Sequence, residues 1–121
     1  MGPWPLRKFA RSLAEALRLP RTSARIVDVL AASSRRLSVK EIVRRVRMSE
    51  RSVRGNLALL LRRGLLERRE VSSSRRREYA YGLRPREDLL RQVRSHFARN
   101  LRALRGAARR VSPRSAASER S

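Results

Sequence analysis

Two helix starts close together dominate the pattern of this chain. Ser38 and Glu41 form a capping box, in which the hydroxyl accepts from the Glu41 amide and the carboxylate accepts from the Ser38 amide. Ser49 is the next N-cap, which leaves Arg47-Met48 as the turn between two helices. The second helix keeps one apolar face until Gly64, which supplies a left-handed C-cap. Two short helices joined by a tight turn predict a helix-turn-helix.

Apolar periodicity predicts two further helices before this motif. Residues 1–5, which include two prolines, are interpreted as an extended lead-in to a helix that ends before Pro20. We favour packing of this first helix on the domain, with a dimer interface and a membrane surface as alternatives. Thr22 or Ser23 is the expected N-cap of the second helix. The apolar faces of the two helices consist of Leu6, Phe9, Leu13 and Leu17, then Ile26, Val29 and Leu30.

After the glycine cap, the apolar pattern changes from helical to alternating. A strand over 65–71, a serine turn and a return strand over 78–83 predict a β-hairpin. Pro85 then opens a last helix, where Glu87 and Asp88 lie near the positive end of the helix dipole. The apolar stripe of that helix consists of Leu90, Val93, Phe97, Leu101 and Leu104.

These elements predict one fold class and four segments. We expect a mostly α structure with a small β-hairpin (α+β), a winged helix-turn-helix with N- and C-terminal helices. The segments are an N-terminal helical extension at 1–21, the winged helix-turn-helix at 22–84, a C-terminal dimerisation helix at 85–108 and a disordered basic tail at 109–121.

The charge of the chain indicates a polyanionic partner. It carries 32 Lys and Arg against 10 Asp and Glu, a formal net charge of +22, and its only lysines are Lys8 and Lys40. Such a charge repels itself in a compact state unless polyanions screen it, and arginine suits phosphate. A genomic bias toward arginine codons explains arginine in place of lysine, but not the basic excess. DNA, RNA and an anionic membrane are the candidate partners.

The second helix of a helix-turn-helix enters the DNA major groove by its N-terminal residues. Arg51 and Arg54 are the candidates for base reading, because arginine can bond both acceptors of guanine. Gly55 has no side chain and would let the helix backbone approach a duplex closely. The alternative is that the two arginines are merely solvated. The predicted DNA-binding residues here are Ser49, Glu50, Arg51, Ser52, Arg54, Gly55 and Asn56.

Two neighbouring groups extend this predicted surface. Three consecutive arginines at the hairpin tip suit a wing on the DNA backbone or in a narrow minor groove, with an ordinary exposed charge run as the alternative. Arg44 and Arg45 are expected to contact phosphates, which position a protein without reading sequence. The predicted wing residues are Ser72, Ser73, Ser74, Arg75, Arg76 and Arg77.

The terminal helices are predicted to form a homodimer. Burial of each large side chain in the last stripe contributes on the order of 1.5–3 kcal/mol, too much to leave in water. A dimer would also place two recognition helices about one DNA turn apart. Packing within one chain is the alternative. The predicted dimerisation residues are Leu90, Val93, Phe97, Leu101 and Leu104 in the last helix, with Leu6, Phe9 and Leu13 in the first.

The sequence lacks the residues that an enzyme would need. There is no cysteine, and the single histidine, His96, has no evident carboxylate or nucleophile partner. No phosphate loop, triad or metal-ligand spacing is present, so we expect no enzyme, no cofactor and no metal. Charged residues interrupt the apolar pattern of residues 1–20, and no apolar run reaches roughly 18 residues. We therefore expect no membrane partner and a cytoplasmic, nucleoid-associated protein.

The order and spacing of these motifs resemble the archaeal and bacterial winged-helix regulators of the TrmB and MarR type. The resemblance covers roughly residues 22–105 and is carried by the runs 38–42, 48–57, 63–68 and 78–90. It implies a homodimer on a palindromic or quasi-palindromic operator. The chain departs from TrmB in having no downstream sugar-binding domain in these residues, and its arginine excess extends well beyond the recognition helix.

The sequence therefore predicts a homodimeric transcription regulator that binds duplex DNA through its recognition helix and arginine-rich wing. Three alternatives stay open at this stage. One is an architectural, chromatin-like DNA-binding protein of low sequence specificity. Another is an RNA- or ribosome-associated winged helix, although the chain has few aromatic residues for stacking on single strands. The third is a winged helix that binds proteins in a larger complex. The residues specify no small-molecule effector.

Overall fold

Helices alternate with short strands in the order that the sequence predicts. A computed structural model describes the backbone of residues 3–71 and 77–111, and their side chains from residue 6 onward. The wing residues Ser72–Arg76 and nearly all of the predicted tail lie outside the described residues. The elements are α1 Pro3–Ala16, α2 Arg21–Ala32, β1 Leu37–Ser38, α3 Val39–Val46, α4 Glu50–Arg62, β2 Leu66–Val71, β3 Glu78–Leu83 and α5 Arg86–Arg110. The predicted mostly α fold class is confirmed.

The predictions for the first two helix starts are wrong. The first helix begins at Pro3, because proline lacks only an amide that would be unpaired in a first turn anyway. The N-cap of α2 is Pro20, which has no side-chain cap. Thr22 and Ser23 lie inside α2, and their hydroxyls bond to another helix instead.

The helix-turn-helix forms as its caps predict. The Ser38 hydroxyl accepts from the Glu41 amide, and the Ser38 amide donates to the Glu41 carboxylate, both at 3.2 Å. Arg47 takes a left-handed conformation at the turn between α3 and α4, with φ of 56°. The Ser49 hydroxyl then accepts from the Ser52 amide at 3.1 Å. These contacts are local in sequence, which is why the pattern of residues predicts them.

A three-stranded antiparallel sheet supports one side of the helix-turn-helix. The strand order is β1-β3-β2, so the predicted hairpin of β2 and β3 gains a short third strand. Leu37 pairs with Tyr81, and the hairpin pairs run from Leu66 opposite Leu83 to Val71 opposite Glu78. Because β1 runs directly into α3, this pairing holds the start of the helix-turn-helix against the hairpin.

The core contains residues from all five helices among the described residues. The largest fully buried side chains include Ile26, Leu37, Ile42, Leu57, Leu60, Leu65 and Leu89. The first helix packs on α2 and contributes Ala10 and Leu13 to the same core, and Leu17 follows directly after the helix. Leu13 is only 3% exposed, so it is not available to a second chain, and its predicted dimerisation role is wrong. Its face of α1 is the one that covers α2.

Most of the predicted apolar stripe of the last helix is exposed in the described part of the chain. Among the residues of α5, all of them described, only Leu89 is buried. Val93 is half-buried against the core, and Phe97 is 52% exposed. The other exposed stripe residues are Leu90, Leu101 and Leu104. Among the described residues, only Val93 of the stripe packs within this chain. The helix also continues through Gly106 to Arg110, beyond the predicted end at 108.

Two predicted contributors from α1 remain partly accessible. Leu6 is 41% exposed, and Phe9 packs against the edge of the core while half-buried. Within the described parts of the chain, no helix has the length and apolar character needed to cross a membrane.

Candidate nucleic-acid interface

The first turns of α4 present a polar face to solvent. Ser49, Glu50, Arg51, Arg54 and Gly55 are all exposed. On the opposite face of the same turns, Val53 and Leu57 pack in the core and are 0% and 1% exposed. The two remaining predicted residues, Ser52 and Asn56, are half-buried. Five of the seven predicted residues of this helix are thus available to a partner at one helix end.

No contact within the described residues requires glycine at position 55. No heavy atom of the described residues, apart from its neighbours and its own helix backbone, lies within 4 Å of a Cβ built there. Glycine in a helix interior costs about 0.8–1.0 kcal/mol relative to alanine. The fold therefore pays a small penalty at an exposed position beside Arg51 and Arg54 without any internal gain.

Arg54 lies where α4, α3 and the wing strand meet. It lines a cavity of about 90 Å³ together with Lys40 from α3 and Arg77 from the hairpin. Its Nε is 3.4 Å from a carboxylate oxygen of Glu50, one turn earlier in α4. Both side chains are more than half exposed, so this pair contributes little to stability but holds the guanidinium along the helix.

Lys40 is a site residue that the sequence analysis missed. It also lines a second, open cavity with Arg44 and Glu50, so it connects the wing side of α4 to the α3 side. Arg44 and Arg45 are both exposed in the last turn of α3. The available signal was its position as the second residue of the capped helix α3, where it lies outside the apolar face of that helix.

The described part of the wing carries its cations on an ordered hairpin. The side chain of Arg77 is 83% exposed, with its Nε 3.8 Å from a Glu70 carboxylate oxygen. The guanidinium of Arg68 stacks over the Tyr79 ring at 4.2 Å from the ring centre. The predicted tip residues Ser72, Ser73, Ser74, Arg75 and Arg76 lie outside the described residues.

Asn56 has an internal role in the fold. Its Oδ1 accepts from the Thr22 hydroxyl at 3.0 Å and from the Ser23 hydroxyl at 2.6 Å. Its Nδ2 donates to the Ser52 carbonyl at 2.8 Å. Because Ser23 is fully buried, the Asn56 oxygen satisfies a hydroxyl that has no access to water. This side chain links α4 to α2, and we do not propose it as a base-reading residue.

The start of α3 is anchored by charge as well as by its cap. The Arg35 guanidinium bonds to the Glu41 carboxylate. That bond, followed by the bond from the Ser38 amide, lowers the pKa of Glu41 to about 2. At the other end of α3, the Arg25 guanidinium donates to the Val46 carbonyl. The helix before the turn is therefore fixed at both ends.

The lone histidine lies far along α5 from this surface. Its ring is edge-on to Phe97 at 5.8 Å between centres, and Nε2 is 3.1 Å from Asn100 Nδ2. In the described ranges 3–71 and 77–111, no group of three or more His, Asp or Glu side chains is placed to hold a metal ion.

No protein-family model matches the chain, and no curated protein sequence matches it. Solved structures do match its fold. A possible transcriptional regulator from Methanosarcina mazei Go1 has a TM-score of 0.69 at 11% identity, over 80% of this chain and 82% of that chain. A MepR variant from S. aureus, bound to an oligodeoxyribonucleotide, has a TM-score of 0.52 at 15% identity, over 96% and 83%.

A third structure matches over a shorter region. The regulator PerR from Streptococcus pyogenes, described for peroxide sensing and gene regulation, has a TM-score of 0.53 at 21% identity. The match spans 61% of this chain and only 56% of PerR. The TrmB part of the predicted resemblance stays a prediction. The chain has the same fold as these three structures, a winged helix-turn-helix.

Proposed function

We propose that this protein is a transcription regulator that binds duplex DNA as a homodimer. The observation that carries the proposal is the exposed face of α4, where Arg51, Arg54 and Gly55 lie together at the N-terminal end. A DNA-bound structure of MepR with the same fold supports DNA as the partner. We place the protein on chromosomal DNA in the cytoplasm.

In the proposed complex, the first turns of α4 enter the major groove. Arg51 and Arg54 bond to base edges, because a guanidinium can donate to both guanine acceptors. Before binding, the carboxylate of Glu50 holds the Arg54 guanidinium 3.4 Å away along the helix, which limits the side-chain freedom lost on docking. Gly55 removes the one side chain that would separate the helix backbone from the duplex.

Cations on both sides of α4 position it without reading bases. On the α3 side, Lys40, Arg44 and Arg45 contact phosphates. On the hairpin side, Arg77 leads into the tip residues Arg75 and Arg76, which we assign to the DNA backbone or a narrow minor groove. The cavity shared by Lys40, Arg54 and Arg77 supports this arrangement, because it brings the two cationic sides together next to the reading helix, with Glu78 as its one acidic lining residue.

The proposed dimer interface is the exposed stripe of α5, occupied by the same stripe of a second copy. Phe97 and Leu104 are 52% and 67% exposed, an apolar surface on an otherwise highly charged helix. The first turn of α5 carries Glu87 and Asp88, and its last turn is basic. Two copies packed antiparallel around a two-fold axis would place one apolar stripe on the other, while Glu87 and Asp88 stay paired with arginines of their own chain.

Duplex binding across a salt series tests the proposal. The target set is random DNA plus fragments from upstream of the protein's own gene. Log affinity should fall linearly with log salt, with a slope near 0.9 per neutralised phosphate. We expect one fragment to keep an advantage of about a thousandfold at physiological salt. Equal affinity for all duplexes would contradict a regulator and indicate the architectural alternative, and tighter binding to structured RNA would contradict both.

Matched variants separate base reading from charge. Arg51→Gln should reduce the preference for the best fragment by about tenfold or more, the cost of one bidentate base contact. Arg102→Gln removes the same charge from an exposed position on α5 and should leave that preference unchanged. Equal losses in the two variants would assign the effect to net charge and refute base reading by Arg51.

The oligomeric state has its own test. Phe97→Glu puts a charge into the centre of the exposed stripe, and sedimentation should show a shift from dimer to monomer. Arg102→Glu introduces the same residue off the stripe and should leave the dimer intact. A wild-type protein that sediments as a monomer at micromolar concentration would refute the proposed interface.

A further inference from the structure

A second cationic cluster lies at the C-terminal end of α4, away from the proposed reading face. It surrounds a cavity of about 240 Å³ between α4 and α5. The C-terminal part of α4 contributes Arg62, the loop after it contributes Arg63, and α5 contributes Arg99. The other lining residues are Leu17, Gln92 and His96. No carboxylate lines the cavity.

These arginines are not neutralised within the described part of the chain. None of the ion pairs there involves Arg62, Arg63 or Arg99. By contrast, the cavity between α1 and α2 has Glu15 and Asp28 among its arginines. Guanidinium groups stay charged at all ordinary pH values, so three around one cavity repel each other unless an anion is present.

Local helix electrostatics explains only part of the cluster. Cations at the end of α4 offset the negative end of its dipole, which accounts for Arg62 and Arg63. Arg63 also donates weakly to the Leu17 carbonyl at 3.4 Å. Arg99 belongs to another helix and has no such reason to face this point. The polar amide of Gln92 lines the same cavity and offers an uncharged donor.

We propose that this cavity is a phosphate-binding site, separate from the DNA surface at the start of α4. The two sites lie at opposite ends of a helix of 13 residues, about 20 Å long. The phosphate comes either from a free polyphosphate or from the backbone of a second duplex. Gln92 and Arg99 lie on a different side of α5 from the apolar stripe, whereas the His96 ring is edge-on to Phe97 of the stripe at 5.8 Å between ring centres.

Titration of the full chain with inorganic tripolyphosphate tests the site directly. Calorimetry should show one saturable site per chain. Arg99→Gln should weaken that site by about tenfold or more, as loss of one charge-assisted contact does. Arg102→Gln, an exposed position on the same helix but outside the cavity, is the matched control and should keep wild-type affinity. Equal weakening in both variants would reduce the site to general charge attraction and overturn the proposal.

A bridging assay identifies the source of the phosphate. One duplex is immobilised, the protein is added, and capture of a second, labelled duplex is measured. If the second duplex is the source, Arg99→Gln lowers capture while binding of the first duplex stays at the wild-type level. If a free polyphosphate is the source, Arg99→Gln captures the second duplex as well as the wild type does. The same variant then still binds tripolyphosphate more weakly than the wild type. Arg51→Gln tests the proposed DNA surface separately: it should weaken binding of the first duplex, whereas Arg99→Gln should not.

Discussion

Replacement of Gly55 by alanine should change stability and DNA affinity in opposite directions. The residue lies inside α4, is exposed, and has no described atom within 4 Å of a new Cβ beyond its own helix. Alanine is favoured over glycine in a helix interior by about 0.8–1.0 kcal/mol, with no clash to offset the gain. For a domain of this size, that corresponds to a rise in Tm of about 4 °C.

The same methyl group should weaken binding to duplex DNA. In the proposed complex it lies between the helix backbone and the groove, so the helix must withdraw and the contacts of Arg51 and Arg54 lengthen. Loss of even one bidentate base contact costs about 1–3 kcal/mol, which is about 5- to 150-fold in affinity. The assay is urea denaturation for stability, alongside fluorescence anisotropy with the preferred fragment for DNA affinity.

Gly106→Ala is the control for this experiment. Gly106 also lies in a helix with no described atom within 4 Å of a new Cβ, but it belongs to α5. We expect a smaller stability gain there, because the position is near the helix end, and no change in DNA affinity. If Gly55→Ala is stabilised yet binds DNA as tightly as the wild type, close approach of the α4 backbone to DNA is refuted. A destabilised Gly55→Ala would refute the argument from open space.

Three further substitutions probe the scaffold, each by urea denaturation. Gly64→Ala should lose about 1–2 kcal/mol, because φ is +73° there and the new Cβ lies 2.8 Å from Gln92 Nε2; unchanged stability would contradict this. Asn56→Ala should lose about 1–3 kcal/mol, since the buried Ser23 hydroxyl loses its acceptor, and a neutral result would mean that this bond is dispensable. Glu41→Gln should flatten the acid limb of stability. The pKa of Glu41 is about 2 in the folded chain against an ordinary value of 4.5, so its contribution is present above pH 4.5 and is lost as pH falls toward 2. An identical pH profile in Glu41→Gln would refute that assignment.

The helix-turn-helix follows from the sequence because its signals are local. The Ser38 capping box, the Ser49 N-cap and the left-handed Gly64 join residues only a few positions apart. Such contacts depend on little beyond the immediate sequence, so the pattern predicts them with their partners. The alternating pattern of the strand over 78–83 and the net charge are likewise evident from the sequence without knowledge of the tertiary structure.

Contacts between distant elements were decided only by the tertiary structure. Whether Asn56 faces a partner or the hydroxyl of Ser23 depends on how α2 crosses α4. The convergence of Lys40 with Arg77 depends on β1 pairing with β3, which no local pattern indicates.

The terminal helices show the same limit. An apolar stripe on α5 was readable from its spacing, but the residue that the fold buries there is Leu89, while Phe97 stays exposed. In α1, Leu13 belongs to the core although its spacing equally allowed an interface. Periodicity within one helix specifies which residues share a face, whereas the positions of the other helices specify which face is covered. The sequence alone therefore determined the elements and the charge, and packing between elements decided which side chains remain free to meet a partner.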